Sequence, residues 1–314
     1  SSQIKFDGNF TNNQDGTVTL PDAAGASVTF GTGTGTDSFS NLGTVNSSGL
    51  CAVTFANQPV KDDGTWVYTG GTTSGKVILA GDISYNVLIL KGNLEVPGDL
   101  TATKILVETN SLKIQGKITS DSIDVKTEKP IELTGKLTVG SAAFRLSENT
   151  NFNINNHELV FGTDAKKCEI TSGAAKKLSF RGTAGSKINF HSASFGQGTD
   201  IIGDFYSEPD VLFNCDVHAK SLTAKKDAEI HAAEINTTGK QEYYGAVTVS
   251  SAAKTKFNAS TVNFRGTTDI QNETEVSATG AVAFFGNLTV AAASPLAVSA
   301  SEAAFSGHKR SGQV

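Results

Sequence analysis

The densest run of groups able to do chemistry is GQGTDIIGDFYSEPDVLFNCDVH, Gly196 to His218. It holds Asp200, Asp204, Glu208, Asp210, Asp216 and His218. Carboxylates set this close can serve as general acid and general base on a glycosidic bond. Asp200 and Asp204 lie on either side of Gly203, so a tight corner there would bring them near each other. The plainer reading is preferred: a solvated loop whose acids keep a strand edge polar. His191, His218 and His231 fall in separate segments without a common register, so they do not read as a metal-ligand set. Neither a metal nor any other cofactor is expected.

Other candidates carry less. Cys51, Cys168 and Cys215 form no CxxC pair, and an odd count leaves at least one free thiol. Each reads as a small apolar core residue. The stretch TGTGTD, Thr32 to Asp37, occurs once, so it is no ladder of ice-binding threonines. It also lacks the strand–helix setting that a phosphate-cradling loop needs. A net charge of −5 argues against a nucleic-acid partner, which would normally meet a basic face.

The elements that must position any site come from the composition and from a repeat. Thr, Ser, Asn, Gly and Val are abundant, which favours strands and turns. The residues two before a recurring glycine run Val160, Phe180, Ile201, Leu222, Tyr243, Phe264, Phe284 and Phe305. Their spacing is 20 or 21 throughout. The glycines are Gly162, Gly182, Gly203, Gly245, Gly266, Gly286 and Gly307, with Ala224 in the one remaining place. After the glycine the apolar residues alternate, as in GAVTVSS and GNLTVAA. A fixed period near 20 with alternating strands is the signature of a solenoid, and three short strands fill one turn.

In such a stack, equivalent residues of successive turns lie over one another. Tyr243, Phe264, Phe284 and Phe305 should form an interior aromatic column. Phe285, next to Phe284, should point outward. The glycines should mark a corner where a side chain would clash or a positive φ is needed. Before residue 160 the period loosens. LKIQGK and IELTGK align at a step of 19, VLILKGNLEV precedes them at a step of 24, and LSENTNFNINNHE (Leu146 to Glu158) reads as a longer loop. Upstream of about Gly75 no dependable period is visible.

The turns LTGKLTV, YYGAVTV and FFGNLTV resemble the β-helical surface adhesins of Gram-negative bacteria. Those are filamentous-haemagglutinin-type exoproteins and autotransporter passenger domains. The likeness covers roughly residues 76–307 and is one of pattern and composition. Two features of the family are missing: a secretion-directing motif of the two-partner type at the start, and a membrane-barrel segment at the end. The opening SSQIKFDGNF has no basic start or apolar stretch, and the sequence contains no Met. It therefore reads as a mature or excised piece.

The expected fold is all-β: a single-stranded right-handed parallel β-helix with turns of about 19–21 residues and an N-terminal cap. Residues 1–75 are the cap or irregular first turns, 76–307 the β-helix and 308–314 a flexible tail. The resemblance implies a secreted or cell-surface adhesin, not an enzyme, with a role in cell adhesion and virulence. Its partners would be host-cell or matrix glycoproteins or glycans. It would meet the outer membrane only through segments absent from this chain. Ligand contacts are expected where irregular segments interrupt the scaffold, at Asn151, Asn153, Asn155, Asp200, Asp204 and Tyr206. The alternative is a polysaccharide-active β-helix enzyme, a lyase or glycoside hydrolase. Against it, the paired aspartates of polygalacturonases and the basic triads of the lyases are not visible.

Overall fold

The computed structural model describes residues 3–21, 23, 26–32, 37–47, 52–55, 60–69, 75–76, 84–96, 98–197, 200–307 and 309–310. Cys51 and residues 33–36 of the TGTGTD stretch lie outside them. The fold is all-β, with parallel strands stacked as a β-solenoid of about 12 turns. No α-helix occurs among the described residues. The chain divides into two compact units, Ser1–Ala143 and Phe144–Val314.

In the first unit, the region without a visible period folds as stacked turns of three strands each. Gln3–Phe6, Ser27–Phe30 and Ala52–Phe55 pair in parallel to make one sheet. Phe10–Asn12, Phe39–Asn41 and Val60–Asp62 make a second. Thr17–Thr19, Thr44–Ser47, Thr65–Thr69 and Ser84–Val96 continue in a third. The interior is aromatic: Phe10 stacks on Phe39 at 5.3 Å, Phe30 packs edge-on against Phe39, and fully buried Trp66 follows. Beside the rings runs a polar ladder. Asn12 donates to Asn41 at 2.9 Å, Asn41 donates to Asp62 at 2.8 Å, and Trp66 donates to the same Asp62 oxygen at 3.1 Å. Further on, Leu90 pairs with Val107 and Val96 with Ile114, so the turns there are 17 and 18 residues long. The step of 24 is corrected: the glycine at 92 is not equivalent to Gly116.

The second unit keeps three strands per turn. Its first sheet carries Thr150–Asn155, Leu178–Gly182 and Ile202–Ser207, then Lys240–Tyr243, Thr261–Phe264, Ala281–Phe284 and Glu302–Phe305. Its second sheet runs from Glu158–Phe161 through Lys187–Phe190, Asp210–Phe213 and Ala228–Ile230 to Leu288–Val290. Its third includes Val217–Ala224, Glu234–Thr237, Thr255–Ala259 and Thr274–Ala278. Lys309 and Arg310 pair with Leu288 and Thr289. The rest of the expected tail lies outside the described residues.

The aromatic column stands where the spacing puts it in the later turns, but only Tyr243, Phe264 and Phe284 are buried. Phe305, its last ring, is exposed, which corrects the expectation that it is interior. Tyr243 pairs with Phe264, Phe264 with Phe284 and Phe284 with Phe305. Their ring centroids are 5.2, 4.8 and 5.3 Å apart and the rings nearly parallel. Phe285 points outward and is 46% exposed. The glycines fit because of close approach. A Cβ on Gly266 would fall 2.0 Å from the carbonyl oxygen of Gly245, whereas positive φ among the recurring glycines is confined to Gly162.

Earlier in this unit the expected column is corrected. Val160 belongs to the second sheet, opposite Asn189. Ile201 precedes its strand, and Leu222 faces Gln241 while Ala224 faces Tyr243. The column itself continues through Ala224 and Ser207 to Phe180 and Phe152. Corner loops of unequal length shift the register, and a glycine count cannot follow that shift. The expected loop at Leu146 to Glu158 is corrected as well. TNFNIN is a strand with Phe152 and Ile154 buried and Asn151, Asn153 and Asn155 on the outer side. The period of two outweighs the turn propensity of Asn.

Candidate functional site: a polar groove on the second unit

The second sheet of the second unit buries Phe161, Phe190 and Phe213 in a stacked column, with centroids 5.3 and 5.4 Å apart. Ile230 continues the column opposite Phe213. Side chains alternate along a strand, so the residue after each of these must leave the core. Those residues are Gly162, His191, Asn214 and His231, of which the last three carry polar side chains. The backbone N–H of His231 bonds to the Phe213 carbonyl at 2.9 Å, which keeps this outer row in step. His191 and His231 therefore do share a register, two turns apart with Asn214 between them, which corrects the sequence expectation.

Side-chain bonds stiffen the row. Asn214 donates to Asn189 at 3.1 Å, and His231 Nδ1 lies 2.8 Å from Asn214 Oδ1. Each imidazole also meets an acid: His231 Nε2 stands 2.8 Å from Glu229 and His191 Nε2 stands 2.7 Å from Asp164. Behind the row sits Cys215, whose thiol burial pushes up to about 12, with the charge of Asp216 adding to the effect. Cys215 is half-buried and lines the cavity beside the row, which corrects the expectation of a core cysteine here.

The row borders a cavity of about 540 Å³, walled also by Lys167, Gln197, Asp216 and His218. A second cavity of about 440 Å³ adjoins it through the shared residues Gln197 and His218, with Glu234, Asn236 and Thr238 beyond. His218 stands on the outer side of Val217–Ala224, opposite Asn236, which in turn faces Asn258. Gln197 Nε2 approaches His218 Nε2 at 3.3 Å, and Asn258 donates to Glu234 at 2.8 Å. The two cavities form one groove whose amide, imidazole and carboxyl groups repeat at the inter-strand spacing of ~4.8 Å. Such a surface can exchange hydrogen bonds with a polar chain lying along it. Among the described residues no group of three or more His, Cys, Asp and Glu could hold a metal ion.

The six residues expected to bind ligand lie elsewhere, and none lines either cavity. Asn151, Ser179 and Tyr206 face one another on three successive turns of the first sheet. Asn151 accepts a hydrogen bond from Ser179. The Tyr206 hydroxyl donates to Glu208 at 3.1 Å, and burial, then that bond, hold its pKa above the usual phenol value. Asn153 faces Arg181, and Asn155 turns with φ of 52°. Asp204 accepts from Ser221 at 2.7 Å. Asp200 uses its carbonyl, which accepts from the Ser172 N–H at 3.0 Å. The structure thus brings Asn151, Asn153, Asp204 and Tyr206 onto the outer face of the first sheet, with Asp204 two residues before Tyr206 on the same strand, and leaves Asp200 outside that strand. Gln197, Asn214 and Asn236 were missed. Their only sequence signal is one of position: Asn214 and Asn236 each follow an apolar strand residue, and Gln197 stands between two glycines.

No family model matches the sequence, and no curated protein or solved structure matches the chain.

Proposed function

We propose that this chain is a secreted or surface-exposed bacterial adhesin or passenger domain, a non-enzymatic solenoid that binds host or neighbouring-cell ligands. The observation that carries the reading is the groove through Gln197 and His218, which is concave, polar and built on stacked strands. Sites of this kind bind through positioned hydrogen-bonding groups and need no moving parts. The turn pattern shared with β-helical adhesins supports the same reading. A glycan and extracellular-matrix binding array, run with purified chain beside a polysaccharide hydrolysis screen, tests it. Retention on glycans or matrix protein without product release is the expected result.

One observation favours a second reading. His231 with Glu229, and His191 with Asp164, are imidazole–carboxylate pairs at hydrogen-bond distance, the arrangement a general acid or base uses. A polysaccharide-active enzyme built on these pairs would release product in the hydrolysis screen and lose activity in His231→Ala.

A further inference from the structure

Two exposed aromatic rings of the second unit stand in one outer row. Tyr244 is 41% and Phe285 46% exposed. The N–H of Lys225 bonds to Ser207, that of Tyr244 to Ala224, that of Arg265 to Tyr243 and that of Phe285 to Phe264. Lys225, Tyr244, Arg265 and Phe285 therefore follow one another on consecutive turns, outside the buried column. Lys225 Nζ lies 3.5 Å from the Tyr244 ring centre. The Arg265 guanidinium lies between the two rings, 5.1 Å from Tyr244 and 5.2 Å from Phe285.

Arg265 is also held from beneath. Its Nε donates to Glu242 at 2.9 Å, and Asn263 donates to the other Glu242 oxygen at 2.8 Å. Glu242 is buried, whereas the Arg265 side chain is 41% exposed. The Nε bond uses one of five guanidinium N–H donors, and the terminal amino groups carry the other four. A guanidinium fixed by two rings and a carboxylate is ordered before any ligand arrives, so less entropy is lost on binding.

We infer that this row is a binding surface for an acidic oligosaccharide. Arg265 and Lys225 take its carboxylate or sulfate groups, and its C–H faces lie against the exposed parts of Tyr244 and Phe285. The four residues span three strand spacings, roughly 14 Å, which suits a chain of sugars better than a single ring. A peptide adding itself as a strand would need an open sheet edge, and here the backbone is paired turn to turn. The site is separate from the groove and does not depend on it, since none of its residues lines either cavity.

Titration of the folded chain with polygalacturonate oligomers, sulfated dextran, neutral dextran and polyglutamate tests the inference. Binding to the uronate or the sulfated sugar, weakened by salt and roughly tenfold tighter than to neutral dextran, is expected. Which of the two binds distinguishes carboxylate from sulfate recognition. Arg265→Gln should lose roughly tenfold, the scale of one charge-assisted hydrogen bond. Tyr244→Ala should weaken binding too, and Lys117→Gln, at an exposed cation outside both the row and the groove, should leave it unchanged. If Arg265→Gln fails to fold, Lys225→Gln replaces it with the same expected direction. No binding to either acidic sugar, equal binding to neutral dextran or to polyglutamate, or full affinity in the folded cation variant would each overturn the inference.

Discussion

A methyl group on Gly286 would lie 2.2 Å from the carbonyl oxygen of Gly266, the residue beneath it on the preceding turn. Backbone cannot yield as a flexible side chain does, so the turns must separate or the corner must distort. Gly286→Ala should therefore lower stability by about 2–3 kcal/mol, in the range of overpacked interiors. Gly98→Ala is the control: nothing lies within 4 Å of its added carbon, and it should change stability by less than about 0.5 kcal/mol. Urea denaturation of both variants checks the contrast.

The neighbours Phe284 and Phe285 should separate just as clearly. Phe284 is 1% exposed and stacked at 4.8 and 5.3 Å on the rings before and after it. Phe284→Ala should cost about 3–5 kcal/mol. Phe285 faces solvent beside Arg265, and its removal should cost about 1 kcal/mol or less. Equal losses would show that the strand register is wrong.

The buried amides of the first unit are a second structural device. Asn41 is fully buried, accepts from Asn12 and donates to Asp62. Asn41→Ala takes a donor from the carboxylate and an acceptor from Asn12. A loss of about 2–3 kcal/mol is expected in chemical denaturation. A neutral result would mean that water replaces the amide without cost.

Stability should also fall with acid through Glu242. Burial works to raise its pKa, but hydrogen bonds from Asn263 and Arg265 and the Arg265 charge outweigh it, leaving the carboxyl below its ordinary 4.5. The folded state then binds this proton less readily than the unfolded one. The stabilisation is complete above pH 4.5 and is lost as the pH falls through the lowered folded value. Glu242→Gln should show a shallower decline of melting temperature over that window than the wild type.

How much of this was legible in the sequence depended on loop length. From Tyr243 onward the corners are nearly constant, so counting from Phe264 to Phe284 found both the column and the outward Phe285. In the first unit IKF and VTF, then FTN and FSN, then GTV and GTW do mark equivalent strands. The chain between them varies, however: Phe10 to Phe39 spans 29 residues and Phe39 to Val60 spans 21. A search for one fixed period passes over such a repeat. The asparagines at 151, 153 and 155 misled by composition, because a strand facing solvent on one side is as polar there as a loop. The groove was hidden for a different reason. His191, Asn214, His231 and Gln197 come together only once the register of three sheets is known, and no spacing along the chain announces it.

The groove reading turns most directly on the affinity of the chain for whichever glycan or matrix ligand it retains, measured by calorimetry before and after the groove is altered. In the double variant Gln197→Ala, His218→Ala, both side chains shared by the two cavities are removed from a surface position. Affinity should fall by roughly tenfold or more, as expected for the loss of two positioned hydrogen-bonding groups, while the melting temperature stays within a few degrees of wild type. Unchanged affinity in a variant that remains folded would contradict the assignment of the groove as the binding site.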